Sequence, residues 1–186
     1  MTNEIAHCLK AILNEGLILY PTDTIWGIGC DATNADAVAR IYTLKKRIES
    51  KSMICLVSDL DMLQKYVEEV PTQALELIEK ASRPTTIVYD SALGLANNLL
   101  AEDGSVGIRI VKDGFSHELI KKLEGPLVST SANISGMPSP IRFKEIQQEI
   151  LTGVDYVVNL PDYSQESLPS TVIKVSKNGE IQVLRA

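Results

Sequence analysis

Apolar and polar positions alternate along the chain with two periods, which predicts a succession of helices and strands. Residues 3–15 repeat apolar side chains every three or four positions, as an amphipathic helix does, and Gly16 follows as a stop signal. A second helix is predicted from Asn34, which can cap it, to about Arg47. Further helices are predicted at 59–67, 72–81, 115–123 and 142–151. Short apolar runs predict strands at 17–20, 53–57, 86–89, 105–110, 126–129 and 156–158, and the segment 22–33 is assigned neither element.

The end of the chain has the clearest local pattern. The stretches 171–175 and 181–185 read as strands, and Asn178-Gly179 between them predicts a hairpin. Strands that alternate with helices and end in a hairpin favour an α/β fold, with a twisted, mixed and open sheet flanked by helices. The 186 residues fit a single domain over 1–186. Residues 159–169 hold two prolines and few apolar anchors, so a mobile loop is expected there.

Composition narrows the class of protein. Hydrophobic residues make up 45% and charged residues 23% of the chain, as in ordinary globular proteins. No apolar run reaches the roughly 18 residues that cross a bilayer, and the N-terminus has no basic signal region. The three cysteines have neither metal-ligand nor disulfide spacing. A net charge of −6 argues against broad attachment to nucleic acid or membranes. We therefore expect a cytoplasmic globular protein.

Several common catalytic devices are missing from the sequence. His7 and His117 both fall on predicted helices, and no G-x-S-x-G elbow is present. No P-loop occurs, so any ATP is held in another way. Gly27 to Ala32 matches the loose pattern G-x-G-x-x-A, but the segment before it separates it from the preceding strand. We interpret that match as chance.

Polar residues are concentrated in four segments that a fold of this size does not require. The segment 20–27 follows a strand, where open α/β sheets bind ligands, although an ordinary turn explains each residue equally well. The segment 129–136 supplies four small hydroxyl residues and an asparagine, a composition suited to phosphate or carboxylate. In the segment 168–172, Ser170 is either a ligand contact or a cap.

The fourth polar segment is a cluster of cations. Five lie between Arg40 and Lys51, against one anion, Glu49. On composition alone a solvated helix end is the simpler interpretation. If the helix ends there, Lys45 and Arg47 can converge on a polyphosphate. In either case, replacing them is expected to cost little stability, as for surface residues.

These segments together resemble the YrdC-like family of threonylcarbamoyl-adenylate synthases. The family motifs occur in order over nearly the whole chain: Y-P-T-D-T-x-[YW]-G at 20–27, K-x-R at 45–47, G-[VI]-R at 107–109, S-T-S-A-N-x-S-G at 129–136, P-S-T-[VI] at 169–172 and L-R at 184–185. The sequence departs from the family at Ile48, Ser52, Val111 and 82–84, where backbone-shaping residues are expected, and at Ala186. These differences affect loop geometry more than chemistry.

The resemblance implies a YrdC-like fold with a concave active site and a defined reaction. Threonine and bicarbonate give N-carboxythreonine, whose carboxylate attacks the α-phosphorus of ATP and expels pyrophosphate. Such a transfer depends on positioning and charge neutralisation. By resemblance, Lys45 and Arg47 are catalytic and contact the phosphates. The other ATP-binding residues are Ser105, Ser131, Asn133, Ser139 and Arg185, and the threonine-binding residues are Thr22, Arg109, Ser129 and Ser170.

The resemblance also implies partners. Mg²⁺ accompanies ATP, and a transferase complex that modifies tRNA uses the product. Two alternatives stay open: a paralogue with another carbamoyl acceptor, and an RNA-binding module without turnover, against which the acidic balance argues. Alternation along 107–110 turns Arg109 away from Ile108 and Ile110, so its guanidinium needs an anion. That anion is either the threonine carboxylate or a structural partner such as Asp103.

Overall fold

A computed structural model describes residues 1–47, 53–160 and 169–186 of the chain. In these ranges the strands form one mixed, open sheet in the order β7-β1-β2-β6-β3-β5-β4-β8-β9. The strands are β1 (Ile18–Pro21), β2 (Trp26–Gly29), β3 (Ile54–Val57), β4 (Thr85–Tyr89), β5 (Val106–Ile110), β6 (Leu127–Ser131), β7 (Tyr156–Val157), β8 (Thr171–Val175) and β9 (Ile181–Arg185). The pairs β1–β7, β3–β5 and β4–β8 are parallel, and the other neighbours are antiparallel. The predicted fold class is confirmed.

Six α-helices flank this sheet in the described ranges. They are α1 (Thr2–Leu13), α2 (Ala35–Lys45), α3 (Leu60–Tyr66), α4 (Thr72–Lys80), α5 (Gly114–Leu123) and α6 (Gln148–Gly153), and 3₁₀ turns lie at Asn97–Leu99 and Phe143–Glu145. Helix α1 packs against α5, and Ile5, Cys8 and Ile12 form its buried face, whereas the apolar Leu13 is exposed. Asn34 caps α2 by accepting a hydrogen bond from the backbone of Ala37. Among the described helices none is long and apolar enough to cross a membrane.

The sequence pattern misses strand β2. Two of its four residues are glycines, Gly27 and Gly29, which carry no side chain to reveal a strand period. A Cβ on Gly29 would lie 2.7 Å from the carbonyl oxygen of Val128 and 2.8 Å from the ring of Tyr20, so the strands approach too closely for another residue there. The G-x-G-x-x-A match therefore begins inside an antiparallel strand and is not a dinucleotide-binding turn, in agreement with its interpretation as chance.

Two predicted helices also differ from the structure. The helix predicted at 142–151 is divided, because Ile146 and Gln147 adopt extended backbone between the 3₁₀ turn and α6. Helix α2 ends at Lys45 because Lys46 adopts a left-handed conformation. The mobile loop predicted at 159–169 falls mostly on 161–168, which lie outside the described residues. Ile48, Ser52 and Lys51 lie outside them as well.

Candidate functional site

A cavity of about 800 Å³ lies over one face of the sheet. Its walls come from the β1–β2 turn, the end of α2 and strands β4, β5, β6, β8 and β9. Nine of the predicted site residues line it: Thr22, Arg47, Ser105, Arg109, Ser129, Ser131, Ser139, Ser170 and Arg185. Distant segments of the chain thus meet at one cavity, whose volume is in the range usual for small-molecule sites. Lys45 and Asn133 lie behind its wall.

The β1–β2 turn is held by Thr22. Its hydroxyl oxygen accepts hydrogen bonds from the backbone N–H groups of Thr24 and Ile25, at 3.0 and 3.2 Å, and lies 2.7 Å from the carbonyl oxygen of Ile25. A Cβ on Gly27 would lie only 3.0 Å from the Thr22 methyl, so glycine lets the turn close against β2. The turn therefore keeps its shape without help from the intervening Asp23 side chain.

Lys45 is buried, contrary to the expectation of a solvated helix end. Only 1% of the residue is exposed. Its Nζ donates to the carbonyl oxygen of Asn133 at 2.7 Å and also to that of Ser131, while the Ser135 backbone donates to the Lys45 carbonyl at 2.8 Å. The ammonium therefore fastens α2 to the loop after β6. Lys45 is therefore not the surface residue that the sequence analysis assumed, and we expect its replacement to lower stability, since two buried carbonyl groups would lose their donor.

Lys46, whose backbone is left-handed, lies between the buried Lys45 and the half-buried Arg47. The Lys46 side chain is exposed and lies 3.5 Å from Glu149. The half-buried Arg47 lines the cavity, and burial lowers the pKa of its guanidinium. The helix ends at Lys45, which was the condition for convergence on a polyphosphate, but only Arg47 lines the cavity, whereas the Lys45 ammonium lies against the carbonyls of Ser131 and Asn133. Of the three, only Lys46 fits a solvated helix end.

Burial also sets the protonation of Lys45. Desolvation, aided by the nearby charge of Arg47, lowers the pKa of Lys45 from 10.5 to about 7. Between these values the unfolded chain holds a proton that the folded chain lacks, so folding stability rises with pH across that range.

We expect the unfolding free energy to increase between pH 7 and 8.5, relative to a Lys45→Met variant, by roughly 1 kcal/mol per pH unit. Urea unfolding of both proteins at several pH values measures the difference. The comparison also cancels the pH dependence that comes from the buried cysteines, because the raised pKa of these thiols affects the unfolding free energy of both proteins equally. Parallel curves for the two proteins would contradict the assignment.

Arg109 forms a buried ion pair, as one of the two sequence-based expectations has it, but with a carboxylate that the sequence analysis did not name. Its Nη2 donates to Oδ1 of Asp23 at 2.8 Å, and only 4% of its side chain is exposed. The suggested partner Asp103 is wrong. That carboxylate instead accepts from the backbone and hydroxyl of Ser105, at 3.0 and 2.5 Å, and pairs with Lys174 at 3.1 Å. The hydrogen bonds from Ser105, followed by that from Lys174, lower the pKa of Asp103 to about 2.

A second guanidinium lies near Arg109. Arg185 donates from Nε to the Ser170 carbonyl at 2.9 Å and from Nη2 to the Ser170 hydroxyl at 3.2 Å. The Ser170 hydroxyl also lies 2.9 Å from that of Thr86, which is fully buried. Desolvation and the charge of Arg109 lower the pKa of Arg185. Ser170 is therefore a contact of Arg185 and not a helix cap, and two mutually repelling cations border the same cavity.

Two buried polar atoms near the site have no hydrogen-bond partner among the described residues. One is Nε of Arg109, and the other is the amide oxygen of Asn133. The Asn133 amide nitrogen is satisfied by the carbonyls of Ile134 and Met137, at 3.1 and 2.6 Å. Buried polar groups are normally paired, so such atoms mark places where a ligand or water completes the network.

Comparison with known proteins identifies the family. The model of the Sua5/YciO/YrdC family, described as telomere recombination, matches residues 10–186. The chain belongs to this family. A relative from Methanocaldococcus jannaschii, named a putative threonylcarbamoyl-AMP synthase, is 36% identical over 175 residues, which cover 94% of this chain and 81% of the relative.

Solved structures share the fold. P. abyssi Sua5, as an H234A/Y235A variant, matches with a TM-score of 0.88 at 25% identity, over 97% of this chain and 55% of its own. P. abyssi Sua5 complexed with L-threonine matches with a TM-score of 0.84, also at 25% identity, over 91% of this chain and 50% of its own. This chain therefore spans about half the length of those Sua5 chains. E. coli YciO, 21% identical, covers the whole of this chain and 89% of its own at a TM-score of 0.83, which shows the fold alone.

Few acidic side chains are available at the cavity to hold Mg²⁺. Among the described residues no group of three histidine, cysteine or acidic side chains could hold a metal ion. Glu102 and Asp103 are the described carboxylates on the cavity wall, and Asp103 is already engaged. Mg²⁺ is commonly held by one or two carboxylates together with substrate phosphates and water. The donor set fits an ion that arrives with a nucleotide and is held mainly by its phosphates.

Sequence reasoning missed several residues at or beside this cavity. Asp23 pairs with Arg109, Thr86 contacts the Ser170 hydroxyl, and Lys174 on the cavity wall pairs with Asp103, but none of the three was assigned a role. The sequence signal for Thr86 was a polar residue at the start of the otherwise apolar predicted strand 86–89. No local pattern connects Asp23 with Arg109, 86 positions away.

Proposed function

We propose that the protein makes threonylcarbamoyl-adenylate from L-threonine, bicarbonate and ATP. The observation that carries this proposal is one cavity bordered by three guanidiniums, those of Arg47, Arg109 and Arg185, among small hydroxyl groups. The substrates bring several anionic groups together, namely the threonine carboxylate, the carboxylate built from bicarbonate, and the triphosphate. Arginine is the side chain best suited to such planar and tetrahedral anions.

The reaction proceeds in two bond-forming steps. The threonine amine combines with bicarbonate to give N-carboxythreonine and water. A carboxylate oxygen of this intermediate then bonds to the α-phosphorus of ATP, as the bond to the β-phosphate oxygen breaks and pyrophosphate leaves. Charge moves among oxygens, so cations fixed in advance stabilise the transition state. This chemistry does not need His117, whose Nδ1 donates to the Val111 carbonyl at 2.7 Å, or the exposed His7.

Each cation has a proposed role. Arg47 contacts the phosphates together with the hydroxyls of Ser131 and Ser139, and Lys45 fixes the loop that carries Ser131. Arg109 binds the threonine carboxylate, near the hydroxyls of Thr22, Ser129 and Ser170. The remaining proposed nucleotide contacts on the cavity wall are Ser105 and Arg185, and Asn133, behind the wall, shapes the loop after β6 by donating to the carbonyls of Ile134 and Met137. When bound, Mg²⁺ neutralises part of the triphosphate charge.

Two relatives support this proposal. The Methanocaldococcus jannaschii relative carries the name of the activity, and P. abyssi Sua5 was solved with L-threonine. We further propose that the protein works in the cytoplasm and passes its product to a transferase complex that modifies tRNA.

Pyrophosphate release should require all three substrates. We expect omission of threonine or of bicarbonate to lower the rate to background, because the attacking carboxylate is assembled from both. An enzyme-coupled pyrophosphate assay in bicarbonate-depleted buffer, with each component restored in turn, measures this. Release that continues without threonine would contradict the proposal and point to another carbamoyl acceptor.

A further inference from the structure

Asp23 reaches across the sheet to a residue in another strand. It lies in the turn between β1 and β2, whereas Arg109 lies in β5, and β6 and β3 separate these strands in the sheet. The turn itself is held by the Thr22 hydroxyl. The contact between Asp23 and Arg109 is therefore required neither by strand pairing nor by the turn.

Arg109 needs a fixed counter-ion. Its side chain is nearly inaccessible to water, and the charge of Arg185 acts on the same region. Burying a guanidinium without a counter-ion destabilises a folded protein. Here the cost of burying the ion pair is reduced, because 21% of the Asp23 side chain remains exposed to water. Asp23 also borders a second, smaller cavity of about 310 Å³, which brings solvent to its carboxylate.

The ion pair leaves part of the guanidinium unused. One carboxylate oxygen meets one nitrogen, Nη2, while Nε is buried and has no partner in the described part of the chain. Asp23 thus fixes the plane of the guanidinium without satisfying all of its donors. Of the two described carboxylates on the main cavity wall, Glu102 and Asp103, the latter is held by Ser105 and Lys174.

We propose that Asp23 is a positioning residue for amino-acid recognition, holding the Arg109 guanidinium so that its remaining donors meet the substrate carboxylate. This inference rests on the proposed function and deepens it. Asp23 does not touch the substrate. It acts through Arg109, and its loss lets the guanidinium turn toward another anion or water.

The test is an Asp23→Asn variant, which keeps the shape and removes the charge. We expect threonine binding to weaken on the order of 10-fold, the scale of a small misplacement at a site, with ATP affinity within about twofold of wild type. Calorimetric titration of each substrate, in the presence of bicarbonate, gives both values. In a protein that already carries Arg109→Lys, adding Asp23→Asn should alter threonine affinity by less than about twofold, because the guanidinium that Asp23 orients is absent.

Asp155→Asn is the matched control. It removes a carboxylate from another Arg–Asp pair, Arg40–Asp155 at 2.7 Å, away from the cavity, and keeps an oxygen for the Leu17 backbone. We expect it to leave threonine affinity unchanged. If Asp23→Asn does not fold, Asp23→Glu keeps the charge on a longer stem, and weaker threonine binding is again expected.

The outcomes separate two failures. Wild-type protein that binds no threonine would overturn the proposed function together with this inference. Wild-type protein that binds threonine, with Asp23 variants that bind it equally well and merely melt at a lower temperature, would overturn only the inference. Equal losses from Asp23→Asn in the wild-type and Arg109→Lys backgrounds would also overturn it.

Discussion

Arg47→Ala is expected to slow pyrophosphate release on the order of 100-fold, the usual effect of removing one preorganised transition-state contact. Arg47 lines the cavity directly after the left-handed end of α2, where its guanidinium can meet a triphosphate. Its half-buried position leaves the core untouched, so the unfolding free energy should stay within about 1 kcal/mol of wild type. Steady-state kinetics with ATP in excess and urea unfolding measure the two quantities.

Lys46→Ala is the matched control for Arg47→Ala. It removes the neighbouring cation, which is exposed and 3.5 Å from Glu149, so near-normal turnover is expected. If Arg47→Ala also keeps near-normal turnover, the cation cluster has no part in the reaction.

Arg109→Lys is expected to weaken threonine binding on the order of 10- to 100-fold, because an ammonium cannot reproduce a planar fork of parallel hydrogen bonds. ATP affinity should change little, since its proposed contacts lie mainly on other residues. The variant should also melt at a lower temperature, because the Asp23 carboxylate loses its partner at 2.8 Å. Calorimetric titrations and a melting curve on the same preparation measure these effects.

The matched control for Arg109→Lys is Arg40→Lys. Arg40 pairs with Asp155 at the surface and also donates to the Glu15 carbonyl, so the same chemical change there should leave both substrate affinities unchanged. If Arg109→Lys lowers the melting temperature but leaves threonine affinity unchanged, the Asp23–Arg109 pair stabilises the fold and does not bind threonine.

Local patterns predict the elements whose side chains carry a clear period. The C-terminal hairpin has the predicted bounds, and Gly179 adopts the positive φ that the turn needs. Strand β2 is missed because two of its residues are glycines, which allow the strands to approach closely but contribute no side chain to an alternating apolar pattern. The order of the strands depends on long-range packing, which no window of sequence contains.

Residue types predict which side chains gather at the site, but not how each is used. Lys45 and Arg47 are both cations at a helix end, yet one is buried against two carbonyl groups and the other lines the cavity. Only the backbone of Lys46 distinguishes them. Likewise, the alternation of side chains along β5 predicted that Arg109 needs an anion. That this anion is Asp23 and not Asp103 depends on a long-range contact, because β6 and β3 lie between the β1–β2 turn and β5 in the sheet.

The central claim concerns the product, and the most direct measurement follows a labelled carbon. The protein is incubated with ATP, Mg²⁺, L-threonine and ¹³C-bicarbonate, and the reaction is analysed at once by mass spectrometry. The account predicts an adenylate whose mass contains threonine, AMP and one labelled carboxyl carbon, formed together with pyrophosphate. An adenylate without the labelled carbon, or pyrophosphate with no threonine-containing adenylate, would contradict it.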